Sequence, residues 1–177
     1  MNKIGRKLLS TVAAASLLIS AQAANLTSYR DVPKAHWAYD AIWDMTERDM
    51  FSGTASPVNG VGTFSPNQSM TRAQFVAVLT RDLYPDELSE TPTTPWYKQN
   101  YDVALKHGLL TFDDLDTGDL KQTCTRQEMA MMLVRAAYLE NGEVAQNLLP
   151  IESIADYNSI DKRYQQYVRQ AFSMGLI

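Results

Sequence analysis

Apolar residues recur at helical spacing along most of the chain. Trp37, Ala41, Ile42 and Met45 predict an amphipathic helix over 36–48. Phe75, Val78, Leu79 and Leu83 form the stripe of a second helix that starts at Thr71. Trp96, Tyr101, Ala104 and Leu105 mark a third, the run "CTRQEMAMMLVR" opens another at Thr125, and Tyr164, Val168 and Ala171 mark a last one. The stretches between have turn chemistry. "SPVNGVGTFSPNQS" is rich in Gly, Pro, Asn and Ser and reads as loop with a short strand or turn near Phe64, and "YPDELSETPTTP" is linker-like.

These elements repeat. Trp37 aligns with Trp96, and Met50-Phe51 with Leu109-Leu110, at one common offset. The phrase "MTRAQFVAVLTR" (70–81) returns as "CTRQEMAMMLVR" (124–135) at a shorter one, so the loop between has contracted while the helices kept register. A third copy begins with "IESIADY" and ends in "MGLI", which matches "HGLL" of the second. The expected divisions are a signal segment at 1–23, repeats at 24–85 and 86–142, and a partial third repeat at 143–177. A half-repeat leaves apolar surface to be covered, which predicts either a chain that continues or a partner on that edge.

The N-terminus adds a location. Lys3, Arg6 and Lys7 precede the apolar run Leu8–Ile19, and Ala21-Gln22-Ala23 is a small-x-small cleavage signal, so Ala24 is the expected mature start. That run is too short to span a bilayer, which predicts secretion and no membrane partner after cleavage; an uncleaved signal-anchor is the alternative. Cys124 is the single cysteine, so the core rather than a disulfide must hold the exported protein together. The formal net charge of −4, with scattered Lys and Arg, argues against nucleic acid as a partner.

The pattern Asp-Val…Trp-Ala…Ile…Gly…Phe-x-Pro…Thr-Arg-Ala-Gln resembles the S-layer homology domain. Tyr29, Asp31, Val32, Trp37, Ala38, Ile42, Gly53, Phe64, Pro66, Thr71, Arg72 and Ala73 carry it in the first copy. Trp96, Gly108, Leu109, Leu110, Thr125, Arg126 and Glu128 carry it in the second, and Asp156, Val168, Ala171 and Gly175-Leu176-Ile177 in the third. The chain departs from the family in having Asp49 where Gly is usual and Gln74 in place of Glu. Its second copy also lacks the leading Asp-Val and the Phe-x-Pro. The resemblance implies an all-α fold of helical repeats, two helices each, around a pseudo-threefold central bundle. It implies non-covalent anchoring at the bacterial cell surface, with grooves that hold an anionic secondary cell-wall polysaccharide, often carrying pyruvate ketals, or another peptidoglycan-associated glycan. The expected glycan-binding positions are Asp31, Trp37, Gly53, Arg72, Trp96, Gly108, Arg126 and Asp156, with no cofactor, metal or catalytic residue.

The repeated phrase suits that chemistry. Thr-x-x-Gln and Thr-x-x-Glu are capping boxes, which make Thr71 and Thr125 N-caps and put Arg72 and Arg126 at the first helical position. A cation there opposes the helix dipole at a cost of roughly 0.3–1 kcal/mol. Free N–H groups, a positive helix end and a planar guanidinium instead favour a bound carboxylate. The competing role for Arg72 is a salt bridge to an acid such as Asp31. Arg81 and Arg135, read at the far ends of their helices, suit the negative C-terminus, so Arg72→Ala is expected to weaken binding far more than Arg81→Ala. For Trp37 and Trp96, sugar stacking competes with core packing. Gly53 and Gly108 read as turn residues of positive φ.

Asp113, Asp114, Asp116 and Asp119 fail the spacing of a calcium loop and read as a solvated acidic loop. His36 and His107 have no metal-ligand spacing, and no nucleophile or metal motif points to an enzyme. The rival classes are a self-assembling or protein-binding repeat without glycan function, and a small exported enzyme.

Overall fold

The computed structural model describes residues 26–114 and 119–177. The expected signal segment, and Asp116 of the acidic loop, lie outside them. The chain divides into two compact units, one up to Pro66 and one from Asn67. Each is described by itself.

The first unit holds β1 (Ser28–Tyr29), α1 (Tyr39–Glu47), β2 (Ala55–Val58) and β3 (Val61–Thr63). The strands form a sheet of order β1-β3-β2, in which β1 runs parallel and β2 antiparallel to β3. The sheet adds to the mostly helical architecture more than the short strand or turn near Phe64 that the sequence suggests. Its signal was present in Asn59-Gly60 between Val58 and Val61. Both turn residues have positive φ (52° and 80°), as the two-residue turn of a tight hairpin requires. Tyr29, Val32 and Ile42 form the core, with Ala38, Tyr39, Trp43 and Phe64 packed against them. The Tyr29 ring meets Phe64 and Trp43 edge-on, at 5.2 and 6.0 Å between centroids. Helix α1 therefore buries a face through Ile42, and Ala41, expected on the stripe, is exposed. Asp49, at the position where the family favours Gly, adopts φ 57°.

The second unit holds α2 (Arg72–Leu83), α3 (Lys98–Lys106), α4 (Arg126–Asn141) and α5 (Lys162–Ser173), with one 3₁₀ turn between α2 and α3, one between α3 and α4, and two between α4 and α5. The last helix buries the stripe predicted for it: Tyr164, Val168 and Ala171. Helix α2 buries Leu79 of the stripe read in sequence, with Phe75 and Leu83 packed against the same core, and extends the buried face to residues the stripe left out. Ala73, Val76, Ala77, Leu79 and Thr80 are buried. Small residues let the helices approach closely, and the Thr80 hydroxyl is satisfied by donating to the Val76 carbonyl and accepting from Asn100 Nδ2 at 2.9 Å. After α2, Tyr84 stacks on His107 at 3.8 Å, and Glu87 binds Lys106 Nζ and His107 Nε2 at 2.7 and 2.8 Å. Leu109, Leu110, Leu120, Met131 and Met132 fill the centre.

One core group breaks the rule that buried polar atoms are paired. The Tyr164 hydroxyl is buried without a hydrogen-bond partner among the described residues, and burial pushes its ionisation up. Removing an unpaired hydroxyl costs no hydrogen bond. Tyr164→Phe should therefore leave stability unchanged or raise it, whereas Leu109→Ala should cost about 2–5 kcal/mol; urea unfolding of the two variants checks this.

Candidate functional site

The two Thr-Arg phrases fold as capping boxes. Thr71 Oγ accepts from the Gln74 N–H and Gln74 Oε1 from the Thr71 N–H; Thr125 and Glu128 do the same. The two helix starts lie side by side. Thr71 pairs with Thr123 in an antiparallel bridge, the Arg72 N–H donates to the Gln122 carbonyl, and the Cys124 N–H donates to the Met70 carbonyl, both at 2.9 Å. This brings Arg72 and Arg126 onto neighbouring helix starts and gives them opposite surroundings.

Arg72 is enclosed. Its Nε and Nη2 donate to the two carboxylate oxygens of Glu128 at 3.1 and 2.6 Å, and Nη1 donates to the Asp119 carbonyl at 3.2 Å. The salt bridge weighed in sequence exists, with Glu128 as its acid rather than Asp31. Glu128 is only 3% exposed, so burial pushes its carboxyl up; the Arg72 guanidinium and the Thr125 N–H and hydroxyl outweigh that and hold it below its ordinary range. The hydrogen bonds that Arg72 donates to Glu128 raise its own ionisation in turn, against the effect of burial. Arg126, in the same register, is exposed and has no charged partner among the described residues. Cys124, beside them, has its thiol pushed up to about 12 by burial and by the Glu128 charge, which makes it inert.

Arg135 corrects the reading of the helix ends. Helix α4 runs on to Asn141, so Arg135 lies within it rather than at its C-terminus. Its guanidinium grips both oxygens of Asp114, the Leu109 carbonyl and the Tyr167 hydroxyl, and lies 5.3 Å from the Tyr167 ring centre. Asp114 is therefore a structural acid and not part of a solvated loop. Burial raises its carboxyl, and Arg135 with Thr111 lowers it further than burial raises it.

In the first unit Asp31 and Gly53 brace the same segment. The Asp31 carboxylate accepts from the N–H groups of Phe64 (2.9 Å) and Ser65 (2.6 Å). These bonds hold it below its usual range against a burial effect of opposite sign. Gly53 has φ 75°, and a Cβ there would lie 2.6 Å from the Thr63 carbonyl oxygen. Gly108 has the same φ with open space where a Cβ would point. Asp156 is exposed at the start of the 3₁₀ turn Tyr157–Ser159.

Both repeat-related tryptophans stand outside their helices. Trp37 precedes α1 and is 93% exposed, with its ring stacked on His36; Trp96 precedes α3 and is 52% exposed. Between two core-versus-ligand roles, exposure removes the core. Trp96 borders a cleft of about 160 Å³ whose walls include Arg81, Glu90, Thr91, Gln99 and Asn100. Sequence reasoning had set Arg81 aside as a dipole partner; only the fold brings it to the residues that follow the linker.

Residues 28–76 match the family model described as the S-layer homology domain. The chain is 32% identical over 160 residues to an endoglucanase of Bacillus sp. (strain KSM-635), covering 86% of the chain and 16% of that protein. It is 25% identical over 162 residues to the surface-layer 125 kDa protein of Lysinibacillus sphaericus (84% of the chain, 13% of that protein). It is 33% identical over 76 residues to the outer membrane protein alpha of Thermotoga maritima (43% and 17%). The chain thus spans less than a fifth of each of these relatives.

Two contrasts follow. Arg72→Ala leaves Glu128 buried without its cation and should cost about 3–5 kcal/mol, while Arg126→Ala should be neutral or slightly stabilising, since it removes a cation from a helix N-terminus. Because the folded Glu128 titrates below its ordinary 4.5, its contribution is complete above that pH and is lost as pH falls below it. The melting temperature should drop in that acid range, and Glu128→Gln should flatten part of the drop. Gly53→Ala and Gly108→Ala both meet left-handed strain of about 1–2 kcal/mol. Gly53→Ala should cost more, because its Cβ meets backbone; thermal melts of the pair read the difference.

Proposed function

With residues 28–76 an S-layer homology domain, we propose that the chain is a non-catalytic module that anchors an exported protein to the bacterial cell surface. The ligand is an anionic secondary cell-wall polysaccharide or a peptidoglycan-associated glycan. The observation that carries this reading is the exposure of Trp37 and Trp96, at corresponding positions of two repeats. An exposed indole costs burial energy that a core position would recover, and its flat face is a platform for the C–H face of a sugar ring.

Arg126 supplies the charge. Its guanidinium stands at a capped helix start with no internal acid to neutralise it among the described residues, and a carboxylate on a glycan fits that position. Arg72 supports it from within, by holding Glu128 and thereby the cap of α4. Asp31 and Gly53 act likewise on the Thr63–Ser65 segment. The catalytic activity in the endoglucanase's name is read as belonging to the large part of that protein the chain does not span. A surface-layer protein among the relatives agrees with a surface location.

Sedimentation with purified cell walls tests this. The chain should pellet with native walls and not with walls stripped of secondary polymer. Arg126→Ala and Trp37→Ala should reduce pelleting while leaving the melting temperature in place. Equal pelleting with both wall preparations would sink the polymer reading, and concentration-dependent self-assembly without wall affinity would favour a purely structural repeat.

A further inference from the structure

The indole of Trp37 is set by the residue before it. We infer that His36 is a pH-dependent positioning residue: its neutral imidazole holds Trp37 in place, and protonation of the ring releases it. This rests on the surface-anchoring reading above and names what regulates that surface.

Three hydrogen bonds fix the turn that carries the indole. The His36 N–H donates to the Pro33 carbonyl at 2.8 Å, and the His36 carbonyl accepts from the Tyr39 N–H at 2.9 Å. The third comes from the side chain. The Ala38 N–H donates to His36 Nδ1 at 3.2 Å, which closes a ring over the backbone of Trp37. Ala38 is the N-cap residue of α1. In a capping box the third helical residue accepts the N-cap N–H; here that residue is Ala41, which has no acceptor, and the imidazole takes its place. The same imidazole stacks on the indole, with 5.8 Å between centres and 28° between planes, while the indole is 93% exposed. One ring therefore holds Trp37 by its backbone and by its side chain.

A proton undoes this arrangement. An imidazole accepts only at the nitrogen that carries no hydrogen, so the bond from Ala38 puts the ring proton on Nε2. The imidazolium carries N–H at both nitrogens. Its Nδ1–H would meet the Ala38 N–H, donor against donor. The His36 backbone is held on both sides, so it is the ring that must turn, and the indole stacked on it loses its seat. The charged residues nearest in the chain are Lys34 and, in the first turn of α1, Asp40, both exposed. The Asp31 carboxylate is committed to the Phe64 and Ser65 N–H groups. Among the described residues no charged side chain bonds to the His36 ring, so no acid holds the protonated form where the neutral one sits. His107, in the second unit, has Glu87 as its partner instead of a backbone N–H, and serves as the control.

Nuclear magnetic resonance of the intact chain tests the device without a ligand. The titration runs from about pH 8 to about pH 5, the interval in which histidine ordinarily changes charge. The Ala38 amide and Trp37 indole signals should follow the His36 ring with one midpoint. His36→Asn has a neutral side-chain oxygen that can accept from the N–H two residues on, and should hold both signals still. His107→Gln should leave the response intact. Signals that ignore pH, or that still titrate in His36→Asn, overturn the inference; should His36→Asn not fold, the unsubstituted chain decides alone. Sedimentation with native walls then tests the regulation. From the upper to the lower pH, binding of the unsubstituted chain should weaken about threefold more than that of His36→Asn, because apparent affinity scales with the fraction in the competent form. His36→Phe, which keeps a stacked ring without an acceptor, should bind weakly at both. An equal fall in the unsubstituted chain and His36→Asn overturns the regulation. A chain whose signals respond but which pellets at no pH loses the anchoring reading and keeps the conformational device.

Discussion

The second unit depends on one ion pair, Arg72 with Glu128. A cation at the first position of a helix opposes the helix dipole, and a carboxylate at 3% exposure is costly to desolvate. Each is tolerated because of the other. Glu128 lies in the first turn of α4, where the dipole favours a negative charge, and it closes that helix's capping box while gripping the guanidinium of α2. One side chain therefore satisfies a cap, a dipole and a cation together. The backbone agrees, because the two helix starts exchange hydrogen bonds across the Thr71–Thr123 bridge. The arginine that looks misplaced in one repeat is the residue that fastens it to the next.

The repeat grammar then explains why equal residues have unequal roles. Arg72 has the acid of the following repeat to pair with, while Arg126, written in the same register, has no charged partner among the described residues and stays exposed. Arg135 is drawn into Asp114, Leu109 and Tyr167, while Arg81, its counterpart, lines a cleft with Trp96. A repeat unit cannot assign these roles by itself, because each depends on what the neighbouring copy places opposite.

That is also where reading the sequence succeeds and where it stops. Helix existence, both capping boxes and the stripe of α5 are local properties, set within a few residues by periodicity and by Thr-x-x-Glu/Gln, and they were legible. The hairpin at Asn59-Gly60 was equally local and was only half read: the Gly and Pro around it gave a loop with one short strand or turn near Phe64, not a paired hairpin. The two tryptophans were assigned to helical stripes because their spacing continues the period. Yet both precede the first helical residue, where the chain has not begun to turn, so period carries no information about burial there. Glu128 as partner of Arg72 was beyond local reading altogether. The two are 56 residues apart, and only the packing of α2 beside α4 makes them neighbours.

The contrast between Asp31 and Arg126 shows how far family position alone can assign a binding role. Both carboxylate oxygens of Asp31 are engaged by backbone N–H groups, so any ligand that reached it would compete with bonds that hold the Phe64–Ser65 segment. Displacing them would leave two donors to be satisfied again, and would cost more than an exposed group's rehydration. Arg126 has no such commitment among the described residues, so a carboxylate arriving there would gain a charge-assisted contact without breaking one. Of two positions that the same motif marks, the one with its valences filled serves the fold, and the one with them open is where recognition energy is available.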